Sequence, residues 1–506
     1  MRRAWVCAGL AAAACSLPWA ATGADYARTL AYEKTVAALA AMVEAGRPAT
    51  DLQSAAAPLG FSYAPAPPKP AKAAVPGGVQ VSVVSIDLVL SQLALQAGAN
   101  YHVALRQAQA RPEVLLVEAG VTSLAQLYDA VAAAKLSGVL DKTDQGYVAH
   151  LPIAVWNGAT LALQPGETLL LDRSAGAFLL TSGNLVGDAA AIAGTGAPNP
   201  RLTDFNPFVV VALSGSARLE RMRFADLGYG QFPPLTGVTI LEGGFYAKPS
   251  PSVVRDSRFE HVGSLALVDA DEALVEGNVF AAASGPALLL SGGKDISARG
   301  NVVLAGSGAH GIKVTGGANS VELADNIVIA AGLNGIFADA GAANLRIEGN
   351  LIAGSKRSGI SIASADCIEV ASNLLLQNAQ SGLAVRDSAG LKVSANRLID
   401  NGNAGISVTH QPDYGVIEIA ANQLDGNRVG IKGSTTARLQ FAMNDFTGQA
   451  PRLLDGELVQ FTDRFFNLSA TDGTPTIIDG LQLKAGAKLT PTGALRPTSC
   501  TFEGDA

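Results

Sequence analysis

The stretch NLIAGSKRSGISIASADCIEVASN, residues 350–373, holds one full period of the pattern that decides the fold. The asparagine at its two ends recurs at Asn278, Asn301, Asn326, Asn350, Asn373, Asn396, Asn422 and Asn444, at intervals of 23, 25, 24, 23, 23, 26 and 22 residues. A second mark keeps step with it. Gly311-Ile312, Gly335-Ile336, Gly359-Ile360, Gly382-Leu383, Gly405-Ile406 and Gly430-Ile431 each open a short run with apolar residues at alternate positions. Two independent marks sharing one period of about two dozen residues are the signature of a solenoid.

The kind of solenoid follows from the runs inside each period. Gly-Ile-Ser-Ile from Gly359, Cys-Ile-Glu-Val from Cys367 and Asn-Leu-Leu-Leu from Asn373 place β-branched or aliphatic residues at every second position, the period of a half-buried strand. No unit carries a capped helical stripe. Three short strands joined by Gly, Asn, Ser and Asp turns describe one coil of a right-handed parallel β-helix, with coils stacked about 4.8 Å apart. The repeating asparagine is expected at a turn that tolerates the left-handed conformation, with its amide bonded to the amide of the next coil. The fold class is therefore all-β, a right-handed parallel β-helix with a small α/β region at its N-terminal end.

Working outward from the repeat, residues 1–24 read as a secretory signal. Arg2 and Arg3 form a basic start, Val6 to Leu17 an apolar core, and Thr22-Gly23-Ala24 a small-residue cleavage site. Residues 25–60 read as helical, with Tyr26, Leu30, Thr35, Leu39 and Met42 near one face and Gly46-Arg-Pro as the stop. Residues 61–78 are a Pro/Ala-rich linker. Residues 79–145 mix strands with a helix that starts at Ser123 as N-cap, and read as a cap over unpaired strand edges at the solenoid's open end. The β-helix is expected over 146–455, regular over 278–444, and the loop around Leu227-Gly-Tyr-Gly as a wall to one face. Residues 456–506 read as strands followed by a tail.

Charge and cysteines narrow the function class. The formal net charge is −7, and loss of the signal removes Arg2 and Arg3 and no acid, giving −9. An acidic chain argues against nucleic acid as partner. The mature chain has no uninterrupted apolar run of about 18 residues, the length a transmembrane helix needs, so it reads as exported to the periplasm without a membrane span. Of the four cysteines, Cys7 and Cys15 leave with the signal. Export permits a bond between Cys367 and Cys500, while the place of Cys367 at a strand start reads as buried packing.

Taken together, these residues resemble the periplasmic alginate epimerases, the mannuronan C5-epimerase family. The resemblance is carried by Thr122-Ser-Leu-Ala-Gln-Leu, Leu151-Pro-Ile-Ala-Val with Gly158-Ala-Thr-Leu, and Arg173-Ser-Ala-Gly-Ala-Phe-Leu. It continues in Phe205-Asn-Pro-Phe-Val, Asp226-Leu-Gly-Tyr, Asp256-Ser-Arg-Phe-Glu, Glu276-Gly-Asn and His310-Gly-Ile-Lys-Val. It implies a periplasmic β-helix in alginate biosynthesis, an isomerase that inverts C5 of a uronate within a polymer. Such chemistry needs a base for a weakly acidic C–H and a cation for the carboxylate beside it. The family's Gly-Ile-Asp-Pro-His-Asp falls here on Gly285-Pro-Ala-Leu-Leu-Leu. Ala287, Leu288, Leu289 and Leu290 can move no proton. The family's basic run before the histidine is replaced by Gly306-Ser-Gly-Ala, and a tyrosine-rich strand one coil earlier by Gly263-Ser-Leu-Ala-Leu.

The remaining candidates are basic. His310 precedes a Gly-Ile mark and is the candidate base. Lys313, Lys356, Arg357 and Arg386 are expected to form a basic row along stacked coils, and His410 lies in the longest asparagine interval; these are the candidate substrate-binding residues. Such a row suits an anionic, alginate-like polysaccharide. The alternative is a set of solvated charges on a strand face, diluted by Asp339, Asp366 and Asp387. No metal-ligand spacing and no cofactor motif is present. Two readings stay open. One is a β-helix that binds an acidic exopolysaccharide, or holds periplasmic polysaccharide-export proteins together, with the epimerase site lost. The other is an active, diverged polyuronate C5-epimerase or polysaccharide lyase.

Overall fold

Each period of the repeat folds as one coil of three short strands, as in Ile312–Thr315, Asn319–Ala324 and Ile327–Ile329. Successive coils pair in parallel, so the strands stack into three sheets, called here one, two and three in that order. A computed structural model describes residues 23–63, 65, 78–97, 101–109, 111–230, 233–242, 250–306, 308–412, 415–435, 437–463, 476–479, 482–484 and 500. The expected signal, apart from Gly23 and Ala24, and the proline-rich stretch 66–77 lie outside the described residues.

Alternation along each strand sends one set of side chains inward. On sheet one, Ile312, Ile336, Ile360, Leu383, Ile406 and Ile431 stack in register and are fully buried. Each such side chain contributes about 1.5–3 kcal/mol through removal from water. The glycine before each of these residues is dictated by the close approach of neighbouring coils. A Cβ at Gly335 or Gly359 would lie 2.7 or 2.8 Å from the carbonyl oxygen of the next such glycine. On sheet three, Phe224, Phe259 and Phe280 stack face to face with centroids 4.9 and 4.8 Å apart.

The asparagine ladder is present and buried. In each rung the backbone N–H and the side-chain Nδ2 donate to Oδ1 of the next asparagine, as from Asn301 to Asn326 at 3.0 and 2.9 Å. Nδ2 also donates to a carbonyl, Val275 O for Asn301, at 2.9 Å. The expected left-handed conformation, however, falls one residue earlier, on Gly277, Gly300, Asp325, Gly349, Ser372, Ala395, Ala421 and Met443, at φ between 52° and 67°. The preceding residue takes the sharp bend, which leaves the asparagine free to turn its amide inward. A second ladder runs through Asn378, Asn401, Asn427 and Gln449 at the turn between sheets three and one.

Helices close the structure at three places. Helix α1 (Gly23–Glu44) and α2 (Ala49–Ala55) lie across the outer face of sheet three. The buried stripe of α1 is Val36, Leu39, Ala40 and Val43, so of Leu30, Thr35, Leu39 and Met42 on the expected face only Leu39 is fully covered. Helices α3 (Ile86–Ala97) and α4 (Tyr101–Ala108) cover the outer face of sheet one at its N-terminal end. Strand Gln80–Ser85 pairs antiparallel with Glu113–Thr122 and closes the first edge of the stack. Helix α5 (Leu124–Ala133) packs Leu124, Leu127 and Val131 into the main core. Its N-cap Ser123 forms a reciprocal capping box with Gln126.

At the far end, Thr476–Asp479 pairs antiparallel with Arg438–Ala442. Residues 457–461 form a 3-10 turn rather than the expected strand, with Leu458 and Phe461 buried. Cys367 is not packing alone: it forms a disulfide with Cys500, 133 residues away.

Candidate functional site

The three outer faces of the prism differ in what they offer. On sheet three, α1 and α2 cover the outer face from Val279 to Ile399, and on the coils before it Arg223 and Arg258 both pair with Glu260. On sheet two the outward row Glu322, Arg346, Glu369, Lys392, Glu418 alternates in sign. Glu369 lies 3.9 Å from Arg346 and 3.4 Å from Lys392, so the row neutralises itself. Sheet one remains. Its outward row runs Ala154, Leu180, Val210, Thr239, Ala266, Leu289, Lys313, Phe337, Ser361, Ala384, Ser407, Lys432. Its first six members are buried and mostly apolar; from Lys313 on, all are partly exposed.

The coil where the resemblance places the proton-transfer motif carries none of it. Ala287, Leu288 and Leu290 point into the main core, and Leu289 is the outward residue, 8 % exposed. One coil earlier, Ser264 and Ala266 are likewise buried.

Chemistry gathers one coil later. His310 stacks on Phe337 with ring centroids 4.5 Å apart and planes 12° from parallel. Lys313 reaches over the same ring, its Nζ 5.5 Å from the centroid, and pairs with Asp339 at 3.4 Å. The His310 imidazole is pushed down to about 4 from its ordinary 6.5, chiefly by burial, with Lys313 and Arg357 adding to the effect and Asp339 opposing it. It is a neutral ring at pH 7. Its Nδ1 is buried and has no hydrogen-bond partner among the described residues.

The sequence candidates do not form the single straight row expected of them. Lys313 stands in the outward row. Lys356 and Arg357 are exposed on the turn before Ile360–Ala363. Their backbone N–H groups donate to Ala331 O and Leu333 O of the previous coil. Arg386 lies at the far end of its strand, exposed and 3.0 Å from Asp387. His410 is exposed at φ 53° on the turn after Ile406–Thr409, four strand spacings or about 19 Å along the axis from Lys313. The reason is period: only the residue directly after each Gly-Ile mark shares the outward row. His310, Lys313 and Arg357 form one group, and Arg386 and His410 border the open face further along.

Two residues that sequence reasoning passed over complete this face. Phe337 and Lys432 each follow a Gly-Ile mark, as Lys313 does, and that offset was the available signal. Between them lie small residues, Ser361, Ala384 and Ser407, which leave a shallow floor flanked by cations at both ends. Such a surface can hold a ring by stacking and carboxylates by ion pairing.

The model of the right-handed beta helix region matches residues 207–352 and 304–446. No curated protein matches the chain in sequence. Among solved structures, the periplasmic alginate epimerase AlgG is similar at 16% identity, with 75% of this chain and 94% of that one covered and a TM-score of 0.61. A single-substitution variant of AlgG gives 17% identity, 78% and 100% coverage and a TM-score of 0.66. A doubly substituted variant gives 19%, 82% and 92%, and 0.53. The chain is thus a right-handed parallel β-helix that shares its fold with AlgG over three quarters of its length.

Proposed function

We propose that this is a periplasmic β-helix that binds an acidic exopolysaccharide such as alginate along the open half of sheet one, without epimerising it. One observation carries the reading. The coil on which the resemblance places a base and its support holds Ala287, Leu288, Leu289 and Leu290, three of them turned into the core. The loss is therefore built into packing and is not a single exchanged side chain. The cations Lys313, Arg357 and Lys432 and the half-exposed Phe337 remain on the neighbouring coils, as a polyuronate would require. The Cys367–Cys500 disulfide and the signal-like residues 1–24 support an oxidising, exported location. Partners in polysaccharide export are part of the same proposal.

A second reading, a diverged epimerase or lyase, draws on His310 beside Lys313 and Arg357, a base next to cations. A ring that holds its proton only below about pH 4 is a weak base for a C–H of such low acidity. Incubation with polymannuronate in deuterated water separates the readings. We expect binding with no deuterium at C5, no guluronate and no unsaturated ends. Appearance of any of these, abolished by His310→Ala, would overturn the binding-only reading.

A further inference from the structure

The turns that lead from sheet three into sheet one carry more than their buried ladder. Asn378 Oδ1 accepts from the Ser355 N–H at 3.0 Å, and Asn378 and Asn401 each donate to Oδ1 of the next ladder asparagine, at 3.0 and 2.8 Å. This ladder fixes what stands outside it. Directly after its positions come Lys356, Ala379, Gly402 and Arg428, and one residue further Arg357, Gln380 and Asn403. Backbone bonds keep them in register. The Gln380 N–H donates to Arg357 O at 3.0 Å and the Asn403 N–H to Gln380 O at 2.8 Å, while the Gly402 and Arg428 N–H groups donate to Asn378 O and Asn401 O at 2.9 and 3.2 Å. Lys356, Arg357, Gln380 and Arg428 are exposed and Asn403 is half-buried. Every side chain of this strip longer than alanine is a hydrogen-bond donor, and the strip spans three strand spacings, about 14 Å.

The acids of the same turns are taken up by α1. Asp400 accepts from Thr29 Oγ1 at 2.9 Å, and Asp425 pairs with Arg28 at 2.7 Å. Lys356, Arg357 and Arg428 form no ion pair among the described residues. The opposite edge of the open face is the reverse. Asp339, Asp366 and Asp387 stand at the turns into sheet two, and the arginine among them, Arg386, is held by Asp387 at 3.0 Å.

We infer that the acidic polysaccharide is held along the turn between sheets three and one, its carboxylates on the donor strip Lys356, Arg357, Gln380, Asn403 and Arg428, and not along the opposite edge. The inference rests on the polysaccharide reading above. A carboxylate accepts several hydrogen bonds and donates none, so guanidinium, ammonium and amide N–H groups complete it. Asp366 and Asp387 repel it. The body of the chain crosses the floor of Ser361, Ala384 and Ser407, whose small side chains leave room for sugar rings. The amides of Gln380 and Asn403 bind carboxylates without adding charge, so the grip depends on placement as well as on attraction.

The test titrates the intact protein with oligomannuronate of one narrow length by calorimetry, with thermal unfolding of each variant as the check that it is folded. Arg428→Ala and Arg386→Ala remove the same charge from the two edges. Arg428→Ala is expected to weaken binding by about fivefold or more, and Arg386→Ala by less than about twofold. Gln380→Ala changes no charge and is expected to weaken binding about threefold, by a factor that added salt leaves in place. An effect of Arg386→Ala equal to or larger than that of Arg428→Ala would overturn the inference and leave the polysaccharide reading standing. Wild-type affinity in a Gln380→Ala, Arg428→Ala double variant would do the same. Failure of the wild-type protein to bind the oligomer would overturn both.

Discussion

His310 lies flat on Phe337, ring centroids 4.5 Å apart, with Lys313 over the same phenyl ring. The imidazole is sandwiched into the surface rather than presented from it. Its depressed pKa is a consequence of that burial first and of the nearby cations second.

The first prediction concerns acid. The folded ring takes its proton at about pH 4, and the unfolded chain does so near the ordinary 6.5. Above about pH 6.5 both states are neutral and stability is unaffected. As pH falls from 6.5 to 4 the unfolded state binds the proton first, so stability drops across that window and levels off below it. His310→Gln is expected to flatten this part of the stability profile relative to the wild type. An NMR titration of the His310 ring that centres near 6.5 would show the burial argument to be wrong.

The second concerns the ladder. Asn350 Oδ1 accepts from both the backbone N–H and Nδ2 of Asn326, at 2.9 and 3.0 Å. Asn350→Ala leaves the buried Asn326 N–H without a partner and its Nδ2 with Ala298 O alone, at about 1–3 kcal/mol for each bond lost. A destabilisation of about 3 kcal/mol is expected in urea unfolding. Asn403→Ala, at a partly exposed turn with one long 3.4 Å bond, is expected to cost less than about 0.5 kcal/mol.

The third concerns the N-terminal helices. Leu39 and Leu52 pack on Val302, Ile327 and Leu351, while Arg28 pairs with Asp425 at 2.7 Å and Gln53 donates to Gly300 O. The pair spans many coils but has its own small core. Leu39→Ala is expected to cost about 2–5 kcal/mol of docking energy. Hydrogen exchange should quicken in residues 23–60 and on sheet three's outer rungs first, with the Ile312 to Ile431 stack still protected. Uniform loss of protection along the solenoid would show that the helices are not a separate layer.

What the sequence disclosed follows from the range of the physics involved. A period is a local property repeated, so Asn278 to Asn444 and the Gly-Ile marks expose the coil, the stacking and the ladder directly. The second ladder at Asn378, Asn401 and Asn427 has intervals of 23 and 26 and yields to the same count. The docking of Leu39 on Ile327 joins segments almost three hundred residues apart and leaves no periodic trace. The left-handed bend was assigned to the asparagine because that residue tolerates it, although Ser372, Ala395 and Met443 adopt it instead when the coil geometry demands it. The site was legible as a loss, since Leu288 to Leu290 cannot do acid–base work. Its surviving cations were legible in type but not in alignment, because Arg357 and Arg386 stand two or more positions off the outward row.

The last prediction is about that row. Lys313 lies 3.4 Å from Asp339, so its removal both deletes a cation and unmasks a carboxylate in the path of a polyanion. Lys313→Ala should therefore weaken polymannuronate binding more than Lys432→Ala, by roughly tenfold against roughly threefold at low ionic strength, with both effects shrinking as salt is added. Combining Lys313→Ala with Asp339→Ala should recover part of the loss, since the repulsive partner goes with it. Arg346→Ala on sheet two, where Glu348 and Glu369 already hold the guanidinium, should change nothing. Equal effects from Arg346 and Lys313 would mean that the polymer follows overall charge, and sheet one would lose its claim to be the binding face.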